Sequence, residues 1–357
     1  FREITNLGGK DMFFTGLRGS LSSFIISHIH SLNPKVIFCS NEHGKLFRLK
    51  DDINVIAGKD AAQLYLGEYD EEYESEISPL SSTLKTLSME EEFILFTSPK
   101  ALEKPIISEE TFRNKIINLT VNGELGFENL ISKLNEFNFT RKKIVEAEND
   151  YAVRGGIIDI FPENLDQPVR IEFFGNIVES IRDFDLTTQR SISRLNKTEI
   201  LPSLEKIDEL SADSNRLIDY AKDDTLILLD EPDLIKHEYE NLFFSMVRLN
   251  RSFFSGFPLV KSGSIKEPDR KSIREIVFSA KSQPPFNSNI KTFTENLREL
   301  TSQFYKVFIT TTDEYQLKRT KELIEELDDD NLLSGLKYVD SSVHEGFILP
   351  NEKISVY

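Results

Sequence analysis

Cysteine is nearly absent: the 357 residues contain one, Cys39. A single thiol excludes an intrachain disulfide framework and cannot by itself build a zinc site. Inside the apolar run 36–39 it reads as a small buried hydrophobe. Also missing is any apolar run near the eighteen or so residues that a membrane span needs, and no leader-like pattern opens the chain. No membrane contact and a cytoplasmic location are expected. The chain starts at Phe1 without a methionine and stops at Tyr357 within the strand-like stretch 353–357, so a piece of something longer is expected.

Positive charge is in deficit too. Sixty acidic residues against 43 basic ones give a net charge of -17. Such a surface repels phosphate backbones, and tight autonomous DNA binding is not expected. The deficit is uneven, however. Residues 139–199 hold 9 basic and 11 acidic side chains, a net of -2, which leaves -15 for the rest.

Catalytic signatures are scarce. Gly16-Leu17-Arg18-Gly19-Ser20 joins a strand at 11–15 to a helix at 21–31, the place where a P-loop ATPase holds nucleotide. A working loop needs G-x-x-x-x-G-K-[ST], whose lysine neutralises the outer phosphates and whose hydroxyl holds magnesium. Here Gly19 is followed by Ser20 and Leu21, without the lysine, and Arg18 stands before the helix start. The turn is read as a degenerate nucleotide loop (Gly16, Arg18, Gly19, Ser20). Asp230-Glu231, closing the apolar run 225–229, resembles a Walker B pair, but without a phosphate loop it has no metal–nucleotide complex to act on. The five histidines show no ligand spacing; His28 and His30 fall on different faces of a helix. No serine lies in a G-x-S-x-G elbow. No metal, cofactor or catalytic residue is expected.

The organisation of the chain is mixed. Apolar runs at 36–39, 93–97, 225–229 and 306–310 alternate with helix-like stretches at 21–31, 100–103, 216–221 and 314–327, as in an α/β layer with a mostly parallel sheet. Strands at 336–339 and 354–357 would complete a small terminal unit. Phe127, Leu130, Ile131, Leu134 and Phe137 form one helical face, after which the period drops to two. Tyr151 to Phe161, 169–174 and 178–184 are strand-like. Residues 251–285, mixing Ser, Gly, Pro and charge, are expected to be loops. Tyr65, Tyr69 and Tyr73 lie in a stretch too acidic to embrace nucleic acid.

The sharpest pattern is Tyr151-Ala-Val-Arg154-Gly155-Gly156-Ile-Ile-Asp159-Ile-Phe161-Pro162, then Pro168-Val-Arg170-Ile-Glu172-Phe173-Phe174-Gly175. Alternation puts Val169, Ile171 and Phe173 on one sheet face and Arg170, Glu172 and Phe174 on the other. If the first face packs on the 127–137 helix, the second offers arginine, glutamate and an aromatic ring. That composition suits a partner-binding surface and equally a solvated face whose charges pair across strands; the residues alone leave both open.

This block, with E-S-I-R-D-F-D-L-T-T-Q-R-S ending at Ser191, resembles the second domain of the Mfd family of bacterial transcription–repair coupling factors. A similar domain occurs in the excision-repair helicase UvrB. Gln189-Arg190-Ser191 and the missing phosphate loop favour the former. Weaker likenesses lie at 15–20, 97–102, 228–232 and 345–357. The resemblance implies a degenerate P-loop-type parallel-sheet domain at 1–120 (domain 1a) and 201–285 (domain 1b). That domain is split by an inserted α+β domain at 121–200 (domain 2) and followed by a small α/β domain at 286–357 (domain 3). It implies docking of the damage sensor UvrA through Arg141, Arg154 and Glu172, with Arg170 and Phe174 on the same face. RNA polymerase and DNA would be engaged by parts of the parent protein absent here, and those parts could fold back onto the docking face. No DNA-clamping hairpin like UvrB's is expected. Two departures stand out: Ala152 occupies a position where UvrB has a further arginine, and Asn176-Ile177 replaces a usual acidic pair. The alternatives are an ATP-dependent helicase module of the UvrB type and an autoinhibitory module without UvrA contact.

Overall fold

The computed structural model describes residues 12–67, 77–204, 214–249, 255–257, 274–286, 289–327 and 335–357. Tyr69, Tyr73 and most of the stretch 251–285 lie outside them. The chain forms two compact units. One comprises Phe1–Ile77, Glu91–Leu102 and Lys222–Tyr357; the other comprises Ser78–Glu90 and Glu103–Ala221. Among the described residues no helix is long and apolar enough to cross a membrane.

In the first unit, a seven-stranded sheet runs in the order Arg274–Val277, Met12–Thr15, Ser255–Phe257, Leu226–Asp230, Lys35–Cys39, Phe93–Thr97, Ala62–Tyr65. Every neighbouring pair is parallel. A parallel sheet is covered on both faces, so its inner strands are continuous apolar runs. Lys35–Cys39, Phe93–Thr97 and Leu226–Asp230 are accordingly buried at every position. Two strands fall where the composition predicts loops, Ser255–Phe257 and Arg274–Val277. At three and four residues, they are too short for an apolar period to register. The helix His43–Ala57 also escapes the sequence reading; it buries Leu46, Leu49 and Ile53 and ends on left-handed Gly58.

A second, five-stranded sheet in this unit has the order Lys281–Ser282, Phe347–Leu349, Ile354–Val356, Lys306–Thr310, Leu336–Val339. Leu297, Leu300, Val307 and Ile324 form its own core, whereas Phe347, Leu349 and Val356 join the core of the larger sheet.

The second unit holds a six-stranded sheet ordered Ser191–Leu195, Ile177–Phe184, Val169–Phe174, Ile157–Ile160, Asp150–Arg154, Thr140–Lys142. It is antiparallel except for the last pair. The stretch from Tyr151 to Phe161 is therefore not one strand but a hairpin, with Arg154 opposite Ile157 across Gly155-Gly156. Gly155 takes φ +60, the conformation that a two-residue hairpin turn demands and glycine supplies. The helix Phe127–Glu136 covers one sheet face: Leu130 and Leu134 pack with Ile158, Ile171, Phe173 and Ile181. The Phe127 ring meets Phe173 edge-on at 5.5 Å. The strand Ile117–Thr120, which leads into this domain, pairs antiparallel with Lys197–Ile200, which leads out.

Leu134 has no exposed surface. Leu134→Ala is expected to cost about 2–5 kcal/mol of stability, while Ser132→Ala on the exposed side stays within about 0.5 kcal/mol. Urea transitions of the two variants check the difference.

Candidate functional site

The sheet face away from the helix is built by register. Along Val169–Phe174 the side chains alternate between buried and more exposed, with Arg170, Glu172 and Phe174 on the uncovered side. Pairing then sets the row that crosses the sheet: Lys142, Ala152, Asp159, Arg170, Arg182 and Arg194 lie side by side. Four cations and one carboxylate share that row, in a chain whose net charge is -17.

Asp159 organises the centre. It is 1% exposed, and Arg170 grips it with two hydrogen bonds, Nε to Oδ1 at 2.6 Å and Nη2 to Oδ2 at 2.9 Å. Arg170 is 17% exposed, donates from Nη1 to the Gln189 carbonyl, and lies over the Phe184 ring. The Asp159 carboxylate holds the Arg170 guanidinium in its charged form, raising its pKa. Arg154 reaches the same carboxylate through Nη2 at 2.8 Å, but its side chain is half exposed. Arg170 is thus largely consumed by its neighbours, whereas Arg154 is available to a partner.

A second network lies beside the first. The Ser180 hydroxyl donates to Glu172 Oε2 at 2.6 Å and accepts from Arg182, which also pairs with Glu172. The Ser180 hydrogen bond, with help from Arg182 and against burial, holds the Glu172 carboxyl below its ordinary value of 4.5. Phe174 and Ile177 stand opposite one another at the hairpin end, 78% and 42% exposed. An apolar pair at the edge of a charged face is the composition of an interface anchor.

The sequence-derived residues do not all converge here. Arg154, Arg170, Glu172 and Phe174 share the open face, but Arg141 pairs with Tyr151, whose ring belongs to the helix-side core. By register Arg141 leaves the sheet on that side, and its neighbour Lys142 occupies the open-face row. Ala152 is buried with Val145 and Phe184, so an arginine side chain has no room there unless those two move. Asp159, Ser180, Arg182 and Arg194 escape the sequence reading. Their signal is weak: an aspartate inside Ile-Ile-Asp-Ile announces itself only when a neighbouring strand brings an arginine opposite.

The glycine turn in the other unit is engaged by its own chain. Gly16 has φ +71, and a Cβ there would lie 1.9 Å from the Phe278 carbonyl oxygen. Gly19 sits under the Gly346 carbonyl in the same way. The Ser20 N–H, first at the helix Leu21–Leu32, donates to the Glu345 carbonyl at 3.0 Å, and its Oγ accepts from the Glu345 N–H at 3.1 Å. Arg18 donates to the Leu17 carbonyl. Asp230 is buried, with Lys45 Nζ on one oxygen at 2.7 Å and Ser40 Oγ on the other at 2.8 Å. Burial pushes its pKa up, against the pull of Lys45 and Ser40. Glu231 takes a left-handed φ of 49 at the start of the helix Pro232–Glu238. A cleft of about 260 Å³ beside the turn is lined by Arg18, Ser20, Lys45, Arg48, Asp52 and His344, among others.

Residues 117–205 match a protein family described as the UvrB interaction domain. The match begins at the strand Ile117–Thr120 and closes just after Lys197–Ile200, the paired ends of the six-stranded domain. Over a longer stretch the chain is similar to transcription-repair-coupling factors. It is 29% identical over 219 residues to that of Bacillus subtilis strain 168, covering 58% of this chain. It is 28% identical over 210 residues to that of Staphylococcus aureus strain bovine RF122 / ET3-1, and 29% identical over 210 residues to that of Staphylococcus haemolyticus, each covering 56% of this chain. In each case the match spans 18% of the relative's length. These matches agree with the motifs: the chain resembles the N-terminal UvrB-like module of a coupling factor.

Arg170→Ala leaves the buried Asp159 carboxylate with the Arg154 bond alone and is expected to cost up to about 3–5 kcal/mol, whereas Arg154→Ala, removing a half-exposed partner, costs at most about 1 kcal/mol; denaturant unfolding measures both. Because the folded-state pKa of Glu172 lies below 4.5, its network stabilises fully above that pH and is lost as pH falls through the folded value. Glu172→Gln is expected to flatten that acid limb when urea midpoints are followed downward from neutral pH.

Proposed function

We propose that this chain is the docking module of a transcription–repair coupling factor and binds the damage sensor UvrA through the open face of the six-stranded sheet. The observation that carries the reading is the cross-sheet row of cations, with half-exposed Arg154 bonded diagonally to Asp159 of that row, inside the domain that matches the UvrB interaction family. Arginine forks suit carboxylates on a partner, and lysine reproduces that pairing poorly. The role is then recruitment. The module brings UvrA to RNA polymerase stalled at a lesion, while polymerase and DNA are handled by other parts of the parent protein.

The module is read as non-catalytic. The main chain at Glu345 takes the Ser20 N–H that a nucleotide phosphate would need, and Asp230 is committed to Lys45 and Ser40. This supports a degenerate P-loop-type domain, split by the docking domain and followed by the smaller sheet, that carries no nucleotide, metal or other cofactor. Within the docking face, Arg154, Glu172 and Phe174 are assigned to contact, and Arg170 to bracing. Arg141 is given a peripheral contact outside the row. A cytoplasmic protein is the setting that fits this role.

The test is capture of purified UvrA by the full chain. Wild type is expected to retain UvrA, Arg154→Ala to retain less, and the Arg154→Ala, Glu172→Ala double variant to lose it. Loss of a central arginine at an interface weakens binding by about thirtyfold or more. Equal capture by all three overturns the site, and no capture by wild type overturns the docking role.

A further inference from the structure

We propose that Asp159 is the positioning residue of the docking face, holding Arg154 ready for a carboxylate-bearing partner; the inference rests on the docking role proposed above. Asp159 is 1% exposed. A carboxylate so buried requires cationic hydrogen-bond donors. Arg170 already meets that requirement with two bonds, one to each oxygen, and is itself fixed by the Gln189 carbonyl and the Phe184 ring. Arg154 is therefore not needed to satisfy Asp159, yet it donates to Oδ2 at 2.8 Å.

The bond has a different consequence. Arginine is rich in rotamers, and that freedom is lost when a free side chain is fixed on binding. Asp159 imposes that loss before the partner arrives. Arg154 has five N–H donors, and one bond to Asp159 leaves the remainder on a half-exposed guanidinium.

The local sequence permits this arrangement. The residue paired with Asp159 on the Arg154 strand is Ala152, so no bulky side chain stands between the carboxylate and Arg154, two positions along. On the other side the paired residue is Arg170, directly in register. The chain thus has one small and one large neighbour flanking the aspartate, and Arg154 approaches diagonally over the small one.

The partner implied is an acidic protein surface with at least one carboxylate able to accept from Arg154. The experiment is a double-mutant cycle on the full chain, with UvrA affinity measured by calorimetric titration for wild type, Asp159→Asn, Arg154→Ala and the combined variant. Asp159→Asn keeps the shape but removes the charge, and is expected to weaken binding about tenfold, the equivalent of one charge-assisted hydrogen bond. In the Arg154→Ala background the same change is expected to have no further effect. Wild-type or tighter binding by Asp159→Asn, with Arg154→Ala weakened, overturns the positioning role and leaves the docking role standing. An equal loss in both backgrounds also overturns it, since the aspartate then acts on the fold rather than through Arg154. Wild-type affinity in Arg154→Ala overturns this proposal together with the assignment of Arg154 to the site, whereas absence of binding by the wild-type chain overturns the docking role itself. Should Asp159→Asn fail to fold, nitrogen relaxation of the Arg154 Nε–H in the free wild-type chain decides: an immobilised group is expected, and a freely reorienting one overturns the role.

Discussion

A sheet covered on one face only has to be apolar on that face and polar on the other, and the six-stranded domain follows from that constraint. The helix Phe127–Glu136 takes the side bearing Ile158, Ile171, Phe173 and Ile181. The alternate positions then have nowhere to go but the open side, and their charges must be reconciled with one another. Asp159 with Arg170, and Glu172 with Arg182 and Ser180, are the result. Cross-strand pairing does not use up every cation of this face: Arg170 is held by Asp159 and the Gln189 carbonyl, while Arg154 stays half exposed. The inner arginine braces, and the outer one stays available.

The other unit obeys a different rule. Its parallel sheet is buried on both sides, and its helix-start turn meets another stretch of the same chain. Donors that suit an anion elsewhere are here satisfied by a carbonyl, a neutral group with a partial negative charge. Gly16 and Gly19 remain necessary, but for close backbone packing against Phe278 and Gly346. Both glycines are the close-packed members of a joint between stretches far apart in the sequence.

How much of this is legible in the sequence depends on distance along the chain. Phe93–Thr97, Lys306–Thr310 and Glu314–Leu327 stand where their apolar patterns put them, because each pattern is complete within one element. The hairpin at Gly155-Gly156 is hidden because a two-residue turn leaves the period-two alternation running through it. Edge strands such as Thr140–Lys142 and Ser191–Leu195 are exposed nearly throughout and so carry no apolar alternation. For the open face, the alternation of Arg170, Glu172 and Phe174 is readable, but the row that Arg170 joins is not, since register between strands is not written in either strand alone. The bond between Ser20 and Glu345 spans 325 positions, beyond the reach of any local pattern.

The pairing of Ile117–Thr120 with Lys197–Ile200 brings the two ends of the six-stranded domain side by side. A segment whose termini adjoin is topologically a closed loop, and its host need supply only two neighbouring attachment points. Such a segment is portable. Recombination can move it from one chain to another without rerouting either, and the host keeps or loses its own chemistry independently. Such a segment constrains its surroundings only at that paired seam.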